Sequence, residues 1–223
     1  RNLRNMLAEN VARSAITARL EDADFSRVLP FRFIAAERFA PSLSREIEAA
    51  FFRAMKDTKR LLGETWILVD VSGSMDAALS SKSDMTRIDA ACGLAAIGAE
   101  LCESLRIFTF SERLVEVPAR RGFALRDAIA RSQPHGGTYM WGAIHNLSAQ
   151  PVAPQRLIVV TDEQCHDSPH GEPLAEHKYM LNCGTYQNGV AQKRGWTTIS
   201  GWSESVIRYI QALEAAGKEE AQC

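Results

Sequence analysis

Asp70, Ser72 and Ser74 stand at the end of an apolar, β-branched run, Ile67-Leu68-Val69-Asp70-Val71-Ser72-Gly73-Ser74-Met75. Such a run reads as a strand buried on both faces of a sheet. Successive side chains of an extended segment alternate in direction, so a gentle bend brings one carboxylate and two hydroxyls to a common point. Oxygen donors without a histidine or a thiolate suit a hard cation such as Mg²⁺. Open α/β sheets hold ligands in the crevice beyond the carboxyl ends of their strands, where these residues would lie.

Two later stretches offer further oxygens. Pro134-His135-Gly136-Gly137-Thr138 is a glycine-rich loop that introduces Thr138 just before a helical pattern running from Tyr139 to Leu147. Arg156-Leu157-Ile158-Val159-Val160-Thr161-Asp162-Glu163 is a second buried strand that ends in a carboxylate. Taken singly, Ser72 and Ser74 read as turn formers, Thr138 as a helix cap and Asp162 as a strand-end turn residue. Taken together, in this order, they read as one divalent-cation site.

Other chemistry is less well supported. Cys165-His166-x-x-x-His170, with His177 nearby, lacks the regular ligand spacing of a zinc site, and the stretch carries Pro169, Gly171 and Pro173. It reads as a surface loop. A strand-end aspartate is also the nucleophile of some phosphohydrolases, but Ser72 stands where such enzymes place a second carboxylate. Neither a Gly-x-x-x-x-Gly-Lys phosphate loop nor a Gly-x-Ser-x-Gly elbow occurs.

The elements that must position the site follow from periodicity. Residues 1–62 read as helices, with Leu3, Met6, Leu7 and Val11, then Ile16 and Leu20, at helical spacing. Pro30 opens another helix, Pro41 interrupts, and Leu43, Ile47, Ala50, Phe51, Ala54 and Met55 form an apolar stripe that Leu61-Leu62-Gly63 stops. Strands and helices alternate from 63 to 223: helix 86–103, strand 104–110, a short antiparallel strand 113–117, helix 123–132, strand 156–161, strand 178–183 and a closing helix 203–215. That alternation predicts an α/β domain with a mainly parallel sheet and helices on both faces, preceded by a short all-α segment. The apolar residues of that segment exceed what it can hide within itself, so it is expected to pack on the α/β domain.

Composition sets outer limits. The 223 residues are 46% hydrophobic and carry a net charge of −1, which supports a sizeable core and exerts no general pull on nucleic acid. Basic residues outnumber acidic ones before Glu64, and the balance reverses after it. Arg1, Arg4 and Arg13 read as a solvated helix face, and Arg120 and Arg121 as flanks of a strand-to-helix turn. Five cysteines without C-x-x-C spacing read as reduced thiols of a cytoplasmic protein. No stretch is long and apolar enough for a transmembrane helix, and no signal peptide opens the chain, so no membrane partner is expected.

Asp70-x-Ser72-x-Ser74 resembles the metal-ion-dependent adhesion site of von Willebrand factor A domains. That resemblance implies a Rossmann-like fold and assigns the remaining ligand roles to Thr138 and to Asp162, the latter directly or through water. It also implies that a protein or other acidic ligand completes the shell of the cation. A narrower likeness rests on Arg1-Asn-Leu3, Leu29-Pro-Phe-Arg-Phe33, Lys82-Ser-Asp-Met-Thr-Arg-Ile-Asp-Ala-Ala91, Arg121-Gly-Phe-Ala-Leu125, Thr161-Asp-Glu-Gln164 and Gly201-Trp-Ser-Glu204. These resemble the Ro ribonucleoprotein autoantigen family, the TROVE-domain proteins. In that family a ring of HEAT-like helical repeats precedes the von Willebrand factor A domain and handles Y RNAs and misfolded small noncoding RNAs. The resemblance implies that residues 1–62 are the end of such a ring, that most of the ring is absent from this chain, and that its own RNA binding is weak. Three functions are carried forward: a non-catalytic, metal-dependent ligand-binding domain of a Ro-like ribonucleoprotein, a phosphohydrolase using Asp70, and a structural domain whose metal pins its loops.

Overall fold

The computed structural model describes residues 2–25, 28, 30–81, 83, 85–170, 175–184, 195–200 and 205–220. Arg1, Leu29, Lys82, Asp84, Gly171, Pro173, Gly201–Glu204 and Cys223 lie outside these residues.

The apolar runs form the strands β1 (Leu61–Asp70), β2 (Cys102–Phe110), β3 (Leu114–Val117), β4 (Arg156–Thr161), β5 (His177–Asn182) and β6 (Thr197–Ser200). They make one sheet in the order β3-β2-β1-β4-β5-β6. Only β3 is antiparallel, forming the expected hairpin with β2. The chain leaves β1 toward β2 on one side and later returns to β4 on the other. The order therefore reverses between β1 and β4, and the crevice at such a reversal is where α/β sheets hold ligands. Asp70 ends β1, and Asp162 directly follows β4.

Alternation along the strands sorts two cores. Ile67, Val69, Ile107, Ile158, Val160, Tyr179 and Leu181 face the helices α5 (Arg87–Leu101), α6 (Gly122–Ala130) and α8 (Val206–Glu220). Trp66, Leu68, Phe108, Phe110, Leu157, Val159 and Met180 pack on the other face against α7 (Met140–Ser148).

The N-terminal segment folds into α1 (Asn2–Ala8), α2 (Arg13–Asp22), α3 (Phe31–Phe39) and α4 (Ser44–Met55), with a 3-10 turn at Pro41–Leu43. Its buried residues, Ile16, Leu20, Phe33, Ile34, Leu43, Ile47, Phe51 and Met55, belong to the same apolar cluster as α5, α6 and one face of the sheet. Phe51 lies 6.3 Å, centroid to centroid, from Phe123 of α6. Gly93 of α5 lets α3 approach closely, since a methyl at that position would come within 2.8 Å of Ile34 Cδ1. The expected packing on the α/β domain is present.

Two boundaries differ from the sequence reading. Leu61-Leu62-Gly63, expected to end a helix, instead opens β1, two residues before the boundary drawn at 63. Gly63 has φ +81° at an irregularity in the β1–β2 register and donates its N–H to Glu103 Oε2 at 2.7 Å. The sequence pattern places Glu103 in a helix, and the structure places it in β2. Helix α5 ends at Leu101 and β2 begins at Cys102, because pairing of Leu61 with Cys102 and of Glu64 with Ser104 draws these residues into the sheet. The short edge strand β6, mostly exposed, had no sequence signal.

Candidate metal centre

Asp70 is fully buried, and both its oxygens are engaged. Oδ1 accepts the Ser72 N–H at 2.8 Å, a turn closed by an aspartate on the residue two ahead. Oδ2 accepts the Thr161 hydroxyl at 2.6 Å from the neighbouring strand. Past Asp70 the chain folds into a 3-10 turn, Gly73–Asp76, which places the Ser72 and Ser74 hydroxyls 3.2 Å apart. The expected convergence of Asp70, Ser72 and Ser74 is therefore observed. Ser74 is the partly exposed member, while Ser72 is buried.

Asp162 is also fully buried, and its Oδ1 accepts the Gln164 N–H at 3.2 Å. Its Oδ2 lies 2.5 Å from Nη1 of Arg87, in the first turn of α5. The same Nη1 donates to the Ser74 carbonyl at 3.3 Å. Arg87 thus bridges the loops that follow β1 and β4. Glu163, next in sequence, is buried with φ +59°, a left-handed conformation costly for a residue with a Cβ.

Thr138 is buried in a loop laid beside the serine turn, where Gly136 accepts the Gly73 N–H at 3.1 Å. Ser111, just past β2, braces this loop: its hydroxyl donates to the Gly137 carbonyl and accepts the Gly136 N–H, each at 2.9 Å. The stretch 165–167, read from sequence as a surface loop, clasps this loop. His166 Nδ1 accepts the Thr138 N–H at 2.9 Å, and the His166 N–H returns to the Thr138 carbonyl at 2.9 Å. Asp167 caps α7 through the N–H groups of Trp141 and Gly142, and the Cys165 thiol donates to Asp167. Among the described residues, no group of three or more histidine, cysteine, aspartate or glutamate side chains is placed to hold a metal. Asp70, Ser72 and Ser74 supply a carboxylate and two hydroxyls at one loop, Asp162 follows the neighbouring strand β4, and Thr138 lies in the adjoining loop.

Burial pushes the Asp70 carboxyl up to about 6, with the Ser72 and Thr161 hydrogen bonds opposing and the Asp162 charge adding to the rise. Cys183, just past β5, is pushed up to about 12 by burial first and then by the charges of Asp162 and Asp70. Asp162 and Asp70 both lie close enough to Cys183 to raise it, while the Arg87 guanidinium, paired with Asp162, lowers it. An oxygen-only donor set that draws in a cationic side chain fits a hard divalent cation.

The roles of Thr161, Ser111, Arg87 and the clasp at 165–167 leave no mark in the sequence. Nothing local marks an arginine in the first turn of a helix, such as Arg87, as buried.

Neither a protein-family model nor a curated protein sequence matches the chain. Solved structures do. The Ro (RSR) protein of Deinococcus radiodurans matches with a TM-score of 0.68 and 19% identity over 91% of this chain. The match spans 49% of that protein, so the chain corresponds to about half its length. The fold is the expected one, an α/β von Willebrand factor A (Rossmann-like) architecture. An aerotolerance-related membrane protein of Bacteroides fragilis matches 53% of the chain and 66% of its own, with 18% identity and a TM-score of 0.38. The conserved hypothetical protein BatB of Bacteroides thetaiotaomicron matches 70% of the chain and 98% of its own, with 17% identity and a TM-score of 0.46. Among the described residues no helix is long and apolar enough to cross a membrane.

Proposed function

We propose that this chain is a non-catalytic ligand-binding domain, dependent on a divalent cation such as Mg²⁺, of a Ro-like ribonucleoprotein that binds small noncoding RNA and takes part in its quality control. One observation carries the reading: Asp70, Ser72 and Ser74 converge across from Asp162 at the β1–β4 reversal of a Ro-like fold. Asp70, Ser72, Ser74 and Thr138 would hold the cation, with Asp162 acting directly or through water. The cation supplies an electrophilic position that an acidic side chain of a protein partner, or another acidic ligand, can occupy. Thr161 and the Ser72 N–H fix the Asp70 carboxylate in advance, and Ser111 and His166 fix the Thr138 loop. The proposed setting is cytoplasmic, where the buried free thiols Cys92, Cys102 and Cys183 stay reduced.

The hydrolase reading fares worse on the geometry. A phosphohydrolase of that type needs a second carboxylate two residues after the nucleophile, and Ser72 stands there with its hydroxyl 3.2 Å from that of Ser74. A loop-pinning metal remains distinguishable by whether the cation changes affinity for an acidic peptide.

Asp70→Asn tests the site in two ways. Calorimetric affinity for Mg²⁺ or Mn²⁺ is expected to fall at least tenfold, and an unchanged affinity would remove the assignment. The second readout is stability without metal. The folded carboxyl holds its proton up to about pH 6, whereas the unfolded one loses it near its ordinary value of 3.8. Between those values the folded state binds more protons, so metal-free stability falls as pH rises through that window. The loss amounts to about 2–3 kcal/mol at neutral pH, and Asp70→Asn is expected to abolish it.

RNA binding by this chain is expected to be weak and to follow salt more than sequence. The chain corresponds to about half of the Ro (RSR) protein's length, its net charge is −1, and Arg13 is engaged with Ser42 and Glu46. Anisotropy with a labelled Y-like RNA should give a dissociation constant of roughly 1–100 µM at physiological salt. Nanomolar binding would place an RNA surface on these 223 residues.

A further inference from the structure

Helix α5 is nearly all buried, and its start is fixed by a capping box: Thr86 Oγ1 accepts the Asp89 N–H, and the Asp89 carboxylate accepts the Thr86 N–H. Arg38 of α3 pairs with the same Asp89, and the Arg87 N–H donates to the Ala77 carbonyl at 3.0 Å. The Arg87 backbone therefore has little freedom, and its side chain, 11% exposed, is directed between two loops. It ends on Asp162 Oδ2 and the Ser74 carbonyl, beside the oxygens that would hold the cation.

A fixed guanidinium at that place has opposing effects. It compensates a buried carboxylate when no metal is present, so the loops hold together empty. It also sets a permanent positive charge next to any arriving cation and occupies one of the two Asp162 oxygens. Resting on the cation-site reading, we propose that Arg87 is a resident counter-ion of this centre: it stabilises the empty site, competes with the divalent cation for Asp162 and holds cation affinity down. With Arg87 in place, a loaded site keeps one net positive charge over Asp70 and Asp162, which favours an acidic ligand at the open position. Without Arg87 the loaded site would be neutral.

Titration calorimetry with MnCl₂ alone, near neutral pH, on the wild-type chain, Arg87→Gln, Arg87→Lys and Asp70→Asn tests this. Arg87→Gln is expected to bind Mn²⁺ tenfold or more tightly than wild type while melting at a lower temperature without metal. Arg87→Lys keeps the charge on a shorter side chain that has lost the planar fork, and should fall between the two. It also serves as the readout if the glutamine variant does not fold. Binding that appears only in Arg87→Gln or Arg87→Lys supports the proposal too. Equal Mn²⁺ affinity in wild type and both Arg87 variants, with loss in Asp70→Asn, overturns the role of Arg87 and leaves the cation site standing. No binding by any of the folded chains overturns the cation site, and the inference with it.

Discussion

Deleting residues 1–56 is expected to lower the melting temperature by roughly 10–20 °C or to give an aggregating product. The segment is part of the core. Phe51 covers Phe123, Ile34 and Phe31 cover α5 at Gly93, and Glu48 accepts the Phe123 N–H at 2.7 Å. Arg126 of α6 loses its partner Glu37, and Asp89 loses Arg38. Each large apolar side chain left uncovered costs about 1.5–3 kcal/mol, so two or three of them approach a domain's whole net stability. For a domain of this size, each kcal/mol moves the midpoint by about 2–4 °C. Calorimetry and light scattering on residues 57–223 provide the check. A monomeric product with an unchanged midpoint would show that the helices merely rest on the surface.

The site was legible where its chemistry is local. Asp70, Ser72 and Ser74 sit within five residues, and Asp70 closes its turn on the residue two ahead, a local preference of aspartate. What locality cannot reveal is a partner delivered by register or by a distant helix. Thr161 reads as the last β-branched residue of a strand. Its hydroxyl becomes the second anchor of Asp70 only because Val69 pairs with Val160, which brings the next residues of both strands side by side. Arg87 has no local sign of burial, and its use follows only from packing of the N-terminal turn of α5 against both loops. Cys165, His166 and Asp167 have metal-binding residue types, yet each already holds backbone or a neighbour, so their types were legible and their use was not.

The fold followed a similar division. Buried parallel strands announce themselves as continuous apolar runs, and β1, β2, β4 and β5 appeared with errors of a few residues at their ends. The N-terminus of β1 was hidden because Leu61-Leu62-Gly63 has the local look of a helix end. Only the partner strand at Cys102 makes it an extended, bulged start. Edge strand β6 has four residues and little burial, so it depends on β5 for its definition and leaves no pattern of its own.

The second large effect is expected at the opposite end of the sheet. Arg156, at the start of β4, is 1% exposed, and its Nε and Nη2 reach Glu214 of α8 at 2.8 and 2.5 Å. Its Nη1 donates to the Leu62 carbonyl and to Thr65, and Tyr179 donates to the same Glu214 carboxylate at 3.1 Å. Burial alone would raise the Glu214 carboxyl, but the Arg156 hydrogen bonds and charge, helped by Tyr179, hold it below its ordinary value. It therefore favours the folded state at neutral pH, and that contribution is lost on acidification below its ordinary value of 4.5. Glu214→Ala leaves a guanidinium buried without its counter-charge, at a cost of about 3–5 kcal/mol. Because Glu214 is a main polar tie between α8 and the sheet, loosening should begin at that helix, visible as faster amide exchange there. Replacing both partners, as Arg156→Met with Glu214→Leu, removes the uncompensated charge and is expected to recover most of the loss. Denaturant midpoints for the single and double variants decide it: a double variant as unstable as Glu214→Ala would mean that the network acts through Leu62, Thr65 and Tyr179 and not through the ion pair.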